Sequence, residues 1–277
     1  MTFSSTMSYN SEFPYSVNFI LKQAIIRFIV ALFIIFQSTL PAYAQHGDAI
    51  RVATFIEPPM VNFVNGKFIG ENIDVARLLA KKLNKKVTFI QCPIARCLSM
   101  IKDGKADMII SLKKTAARMQ YMTFLSQPFK VQNNPLRFYT LQNSPLKINT
   151  FNDLHNLSVG TVRGAAYFEE FDNNNSIDKV AVTGHLQLIQ MLLKGRIDTF
   201  LEREETIRPL IDNNLYNEKI KLAKYQYNNP VYSYIAISKK SPFHQATKEI
   251  SAKLKNLIAN GEFAPLMDKA KIPKITS

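Results

Sequence analysis

The sequence contains few of the residue types that carry out covalent catalysis or hold metal ions. It has two cysteines, Cys92 and Cys97, and four histidines that do not cluster along the chain. No Ser/His/Asp or Cys/His arrangement is present, and no glycine-rich loop is suited to cradling a phosphate. Two thiols without a nearby histidine give too few ligands for zinc. We therefore expect no catalytic residues, no metal site and no cofactor.

Long apolar runs are also missing, except near the N-terminus. Residues 1–44 have the pattern of a cleavable signal peptide, in which basic residues precede a short apolar run and small residues precede the cleavage site. In chain order these parts are the candidate start residues Met1 and Met7, the basic residues Lys22 and Arg27, the apolar run 28–36, and Ala-Tyr-Ala before Gln45. A membrane anchor is the alternative, but a spanning helix needs about 20 apolar residues. We expect export to the periplasm and a soluble mature protein that begins at Gln45.

Acidic residues are scarce relative to basic ones, with 21 Asp and Glu against 35 Lys and Arg and a net charge of +14. The basic residues are scattered and do not alternate with aromatic residues, and the chain is expected to be exported. We therefore expect no nucleic-acid partner. The charge favours anionic ligands or anionic membrane surfaces, although a solvated lysine-rich surface is the simpler explanation.

The two cysteines remain in the mature chain, which is expected to enter an oxidising compartment. Cys92 follows a predicted strand, and Pro93 turns the chain before Cys97. Such a turn can bring the two sulfurs together, whereas a continuous helix at this spacing cannot. We expect a disulfide between Cys92 and Cys97.

The first part of the mature chain alternates predicted strands and helices. Its elements are strand 50–54, helix 73–83, strand 86–90, helix 95–102 and strand 108–110. Gly104 can adopt the left-handed conformation that ends a helix. The βαβαβ order is typical of a parallel sheet with helices on both faces.

A second unit with a similar order begins near Phe151. Its predicted elements are strand 157–161, a turn and helix over 164–171, strand 180–182, helix 186–193 ending at Gly195, and strand 197–201. Residues 100–107, MIKDGKAD, are echoed by residues 191–198, MLLKGRID. Helix, glycine and strand are a common connection, so the echo alone does not establish a duplication.

The last predicted elements, strand 231–238 and helix 244–257, are assigned to the first unit because no further sheet is available to them. The chain would then cross between two lobes twice, near residues 136–141 and near residues 225–231, which is the connectivity of a hinge. We expect residues 45–137 and 229–277 to form the first lobe and residues 138–228 to form the second.

Arg118 follows the predicted strand 108–110 and a polar turn, where Thr115 can cap a new helical turn. Ligands of open α/β sheets bind at the carboxyl ends of the strands, and the planar guanidinium group suits a carboxylate. Glu57 follows the first strand and is expected at the same edge. The alternative is that Arg118 pairs with an acid on the surface.

In order and spacing, these segments resemble the family 3 extracellular solute-binding proteins, the polar amino-acid receptors of ABC importers. The resemblance is carried by the segments IRVAT, GENIDVARLLAKKL, DGKADMIISLKKTAARMQYMTFLSQPF, DLHNLSVGTVRG and LLKGRIDTFLE. It implies an α/β fold, the two-lobed periplasmic binding protein fold of type II. Each lobe would be a mostly parallel sheet flanked by helices, and a two-segment hinge would join the lobes.

The resemblance also implies ligand-binding positions in the first lobe. Arg118 would bind the ligand carboxylate, assisted by polar groups at Ser111 and Lys113. Phe55 would supply an apolar wall, and Glu57 would contact the ligand or latch the lobes. Stabilising their own loop is the alternative for both.

In the second lobe, the turn Gly164-Ala165-Ala166 would present backbone N–H groups to the same carboxylate. Relatives often have a threonine hydroxyl there and an aspartate eight residues beyond the glycine at 195, where this chain has Arg203. Glu202 could replace that aspartate if the strand shifts by one residue. If Arg203 points inward, the ligand would carry a second anionic group. Alternatively, Lys113 and Arg203 reach out to water.

The implied function is binding without chemistry. A small anionic or zwitterionic carboxylate would be enclosed by closure of a monomeric clamshell and delivered to the membrane permease of an ABC importer. Two alternatives remain. One is a lyase resembling the cyclohexadienyl or arogenate dehydratases, with Glu202 or Glu57 as general acid. The other is a soluble solute sensor that acts on a membrane kinase.

Overall fold

The computed structural model describes residues 48–267, which all belong to one compact unit of the chain. The predicted signal peptide, its cleavage site before Gln45 and residues 268–277 lie outside the described residues. Within residues 48–267, none of the helices combines the length and the apolar character needed to cross a membrane.

The first sheet has three adjacent parallel strands and an antiparallel strand from near the C-terminal end of the described residues. Its strands are β1 (Ala49–Thr54), β4 (Lys86–Gln91), β5 (Met108–Leu112), β6 (Met122–Phe124), β7 (Lys130–Gln132) and β13 (Val231–Ser238). The order is β4-β1-β5-β13-β6, with β7 also paired to β13. Strands β1, β4 and β5 are parallel, and β13 is antiparallel to its neighbours.

Helices cover both faces of this sheet because its central strand is apolar on both sides. The helices of this lobe are α1 (Glu71–Lys82), α2 (Ile94–Asp103), α3 (Ala116–Met119), α7 (Thr247–Ala259) and α8 (Ala264–Met267), and a hairpin of β2 (Asn62–Val64) and β3 (Lys67–Ile69) precedes α1. In β5, Met108 and Ile110 pack with α1 and α7, whereas Ile109 packs with α2.

The second sheet repeats this arrangement. Its strands are β8 (Leu136–Leu141), β9 (Ser158–Val162), β10 (Asp178–Val182), β11 (Thr199–Arg203) and β12 (Ile220–Tyr227), in the order β10-β9-β11-β8-β12. Strands β9, β10 and β11 are parallel, and β8 is antiparallel to β11. A 3₁₀ turn (Phe151–Leu154) precedes β9, and the helices are α4 (Glu169–Asp172), α5 (His185–Leu193) and α6 (Glu204–Asn213).

The two echoed sequence segments form the same structure. Helices α2 and α5 end at Gly104 and Gly195, which have φ angles of 75° and 62°. The aspartates that follow also correspond. Asp107 and Asp198 each accept a hydrogen bond from a backbone N–H near the start of the central parallel strand, at Arg51 and Ser158. Each Asp N–H in turn donates to the carbonyl of the same residue.

Two predictions about the second lobe are corrected. The helix predicted within residues 164–171 is confined to α4, because the preceding residues run through a turn and an extended Phe168 before the helix begins. Residues 136–141 are not a crossing but strand β8, so the predicted boundary at 137 falls inside a strand of the second sheet. The chain passes between the sheets at residues 133–135 and 228–230.

Candidate functional site

Loops at the carboxyl ends of the parallel strands of both sheets meet around one enclosed cavity of about 90 Å³. Open α/β sheets bind ligands at this edge, because the loops that follow parallel strands converge there. The lining residues are Phe55, Glu57, Ile94, Ser111, Leu112, Lys113, Arg118, Gln132, Leu136, Ala165, Ala166, Tyr167, His185, Glu202, Arg203, Val231 and Ser233.

Arg118 is held between the two lobes. Thr115 caps the short helix α3, as the sequence predicts, and the Arg118 side chain is only 6% exposed. Its Nη1 donates to the Lys113 carbonyl at 2.6 Å, and its Nη2 donates to the Gly164 carbonyl of the second lobe at 2.8 Å. Burial lowers the pKa of Arg118. The buried position contradicts the alternative in which Arg118 pairs with an acid on the surface.

Ser111 lies near the end of β5, and Lys113 follows that strand, a few residues before Arg118. The Lys113 Nζ donates to the Tyr167 carbonyl of the second lobe at 2.8 Å, so this lysine does not reach out to water. Burial lowers the pKa of Lys113. Ser111 has a φ angle of 69°, a conformation that is uncommon for serine.

The second-lobe turn at Gly164 differs from the predicted helix start. The Ala165 N–H donates to the Val162 carbonyl inside the turn, at 2.9 Å. Ala165 and Ala166 line the cavity, while Gly164 contributes the carbonyl that holds Arg118. The turn is thus an acceptor for Arg118 as well as a wall of the cavity.

Glu202 and Arg203 both line the cavity, and each also makes contacts within the protein. Glu202 Oε1 lies 3.3 Å from His185 Nε2, and Oε2 accepts from the backbone N–H of Arg203 at 2.8 Å. Arg203 Nη1 donates to the Asn134 carbonyl. Burial lowers the pKa of His185, but the charge and hydrogen bond of Glu202 and the charge of Glu57 outweigh burial and raise it above 6.5.

Glu57 and Glu202 are the acidic residues that line the cavity, and Glu57 has the carboxylate oxygen that is available to a ligand. Its Oε2 is buried and has no hydrogen-bond partner within residues 48–267. Burial raises the pKa of Glu57 to about 7, and Glu202 adds to this increase, while His185, Lys130 and Arg203 oppose it.

The predicted disulfide is confirmed. Cys92 follows β4 and Cys97 lies in α2, with an S–S distance of 2.03 Å and a Cα–Cα distance of 5.4 Å. The bridge fixes Pro93 and Ile94, which begin α2 beside the cavity. Within the described part of the chain, no group of three or more His, Cys, Asp or Glu side chains is placed to hold a metal ion.

The structure brings all the predicted ligand-binding residues together. Nine of the ten line the cavity, and the tenth, Gly164, contacts Arg118 directly. Sequence reasoning missed His185, Tyr167 and Gln132. His185 could have been found from its place just after a predicted strand of a parallel sheet, but neither Gln132 nor Tyr167 has a comparable signal. Three cations, two carboxylates and a histidine in one enclosed space are suited to holding a small zwitterionic or anionic molecule.

Residues 50–270 match the family described as bacterial extracellular solute-binding proteins, family 3. The chain is 28% identical over 184 residues to the histidine-binding periplasmic protein of Salmonella typhimurium (strain LT2), covering 63% of this chain and 68% of that protein. It is 26% identical over 169 residues to the lysine/arginine/ornithine-binding periplasmic protein of Escherichia coli (strain K12), covering 59% of this chain and 64% of the relative.

Solved structures show the same fold. An ancestral arginine-binding protein bound to arginine superposes with a TM-score of 0.67 and 22% identity, covering 80% of this chain and 98% of that chain. A histidine kinase sensor domain with similarity to periplasmic binding proteins gives a TM-score of 0.70 at 17% identity. The match covers 82% of this chain and 97% of the sensor domain. At such identities, the likeness establishes the two-lobed fold alone.

Proposed function

The chain belongs to the bacterial extracellular solute-binding proteins, family 3, and on that premise we propose that it captures an amino acid or a related small carboxylate between its two lobes. The observation that carries this proposal is the buried Arg118 guanidinium, which faces an enclosed cavity lined by both lobes. A buried cation without an acidic partner favours an anionic group of the ligand.

In this proposal the two ends of the ligand meet opposite charges. The α-carboxylate binds Arg118, with Lys113 and Ser111 beside it. The ammonium group binds Glu57, whose Oε2 is free, whereas both oxygens of Glu202 are already engaged. Glu202 then acts on the ligand indirectly, by holding His185 in the cavity wall.

The ligand would favour closure because both lobes line the cavity, with Arg118 in the first lobe and Glu202 in the second. We propose that the protein works as a monomer in the periplasm and delivers its solute to the permease of an ABC importer. The periplasmic relatives support this location. We assign it no enzymatic role.

A thermal-shift screen with the twenty common L-amino acids, followed by calorimetry, tests the proposal. A ligand at 100 times its Kd adds about 2.7 kcal/mol to stability, which for a chain of this size raises Tm by about 5–10 °C. We expect at least one amino acid to give such a shift and to bind with one-to-one stoichiometry. If none shifts Tm or gives heat on titration, the ligand class is wrong.

A second candidate function is favoured by one observation. Glu57 has a pKa raised by burial to about 7 and lies in the same cavity as Arg118, which suits a general acid that protonates a leaving hydroxyl group. The protein would then resemble a dehydratase. Incubation with prephenate or arogenate tests this: an aromatic product formed with turnover, and lost in Glu57→Gln, would favour the lyase.

A further inference from the structure

The enclosed cavity is too small for most amino-acid side chains. Its volume of about 90 Å³ is below the roughly 150 Å³ of a protein cavity that holds one benzene molecule. This space accommodates a carboxylate, an α-carbon and an ammonium group. A longer side chain has to leave the cavity through one of its walls.

One wall opens onto a much larger space, which we call the apolar cleft. The apolar cleft has a volume of about 620 Å³ and lies between the lobes. Phe55, Ile94 and His185 line both spaces, so the cleft adjoins the cavity at these three side chains. The remaining lining residues are Ile56, Pro58, Gln91, Cys92, Pro93, Val162, Thr183, Gly184, Leu186, Gln187 and Leu210.

The lining of the apolar cleft contains no Asp, Glu, Lys or Arg residue among the described ones. A cationic side chain placed there would lose water without gaining an opposite charge, which is unfavourable. An apolar side chain would instead bury its surface against Phe55, Val162 and Leu186.

A second large space, of about 520 Å³, lies on the other side of Arg118. It shares Arg118, Ala165 and Ala166 with the enclosed cavity and therefore adjoins the end assigned to the carboxylate. Asp172 and Lys179 also line it. We therefore expect the side chain of a ligand whose carboxylate is held by Arg118 to extend from the opposite end of the cavity.

We infer that the solute is an amino acid or related carboxylate with a sizeable apolar side chain, which lies in the apolar cleft. This inference rests on the proposed function and narrows it. It distinguishes the chain from relatives named for histidine and for lysine, arginine and ornithine. The specificity would be set by Phe55, Val162 and Leu186.

Calorimetric titration of the purified protein, unfolded and refolded to remove bound solute, tests the inference. The probes are L-phenylalanine, L-leucine, L-arginine, L-lysine and glycine. We expect the better of the two apolar ligands to bind about 10- to 100-fold more tightly than either basic ligand and glycine. If L-arginine, L-lysine or glycine binds as tightly as the apolar ligands, the inference is overturned. The proposed function would remain intact in each of these cases. If no amino acid binds, both fail.

A charge placed in the cleft gives a second, independent measurement. Leu186 lies on α5 in the cleft wall and is 38% exposed, so Leu186→Glu is compatible with folding. We expect this variant to bind the apolar ligand at least about tenfold more weakly and L-arginine more tightly. Leu215→Glu is the matched control, because Leu215 is 83% exposed and does not line the cleft. Equal affinities in Leu186→Glu and Leu215→Glu would place the side chain elsewhere.

Discussion

Arg118 has five N–H donors, and two of them are used to fix its own orientation. One carbonyl on each side of the cavity holds a terminal nitrogen, so the planar group cannot rotate freely. A donor that is already oriented loses little conformational freedom when it binds a carboxylate. The remaining N–H groups can therefore contribute to affinity at a low entropic cost.

Replacing Arg118 with alanine is expected to weaken binding of the tightest amino acid in the screen by ~2–5 kcal/mol, because the ligand carboxylate loses its desolvated partner. Calorimetry measures the change. Lys114→Ala removes a neighbouring charge at an exposed position outside the cavity and should leave affinity unchanged. Equal affinities for the two variants would remove Arg118 from the site.

Glu57 should make stability depend on pH. Burial raises its pKa from 4.5 to about 7, so the folded protein binds this proton more tightly than the unfolded chain does. The contribution of protonated Glu57 to folding stability is therefore complete below pH 4.5 and is lost as the pH rises through 7. Relative to Glu57→Gln, the wild-type free energy of unfolding should fall by at most about 3 kcal/mol between pH 5 and pH 8. Urea titrations at both pH values measure this, and a constant difference between the proteins would contradict it.

At the scale of elements, the sequence predicts helices and strands where apolar residues repeat at the spacing of a helix or form a short buried run. The glycine after each of α2 and α5 and the apolar run of β5 predicted a helix end and a buried strand, and both are present. Strands β2, β3, β6 and β7 have only three residues each. Such short segments do not show the alternation of apolar and polar residues by which a strand is predicted. The turn at Gly164 and a helix after it could be predicted, but the extended segment between the turn and α4 could not.

The candidate site shows the same limit. Arg118 and Glu57 could be placed at one edge because each follows a predicted parallel strand. The pairing of His185 with Glu202 could not be predicted, since it depends on where α5 begins relative to β11. Local patterns also could not show that Glu202 is engaged and that Glu57 has the free oxygen.

The disulfide joins the end of β4 to the first turns of α2 and should stabilise that junction. For its sequence separation of 5, the loss of loop-closure entropy predicts that Cys92→Ala/Cys97→Ala lowers the free energy of unfolding by about 2 kcal/mol. Urea unfolding measures this loss. Reduced wild-type protein should show the same decrease, and reductant should not affect the double variant. Unchanged stability of fully reduced wild-type protein would contradict the prediction.

At the scale of the whole molecule, hydrogen bonds and close packing join the two lobes beside the cavity. Arg118 and Lys113 of the first lobe donate to the Gly164 and Tyr167 carbonyls of the second. Gly164 itself lies against the start of α2, where an added Cβ would come within 3.0 Å of the Ala95 backbone. This contact is tighter than an ordinary van der Waals contact, so a side chain at position 164 would push against the start of α2.

Gly164→Ala should therefore oppose the closed arrangement. We expect a loss of about 1–3 kcal/mol in ligand affinity, because the new Cβ meets the Ala95 backbone of the other lobe and the φ angle of 86° is unfavourable for alanine. Gly195→Ala is the control. It has a similar φ angle of 62° but no atom within 4 Å of the added Cβ, so it should lower stability without lowering affinity.

The two hydrogen bonds between the lobes also have a kinetic consequence. We expect a solute to reach its final position at the Arg118 guanidinium after the bonds to Gly164 and Tyr167 have broken, in a step that does not involve the solute. In stopped-flow measurements, the observed association rate should therefore level off at high solute concentration, at the rate of spontaneous opening. Lys113→Met, which cannot make one of the two bonds, should raise that plateau.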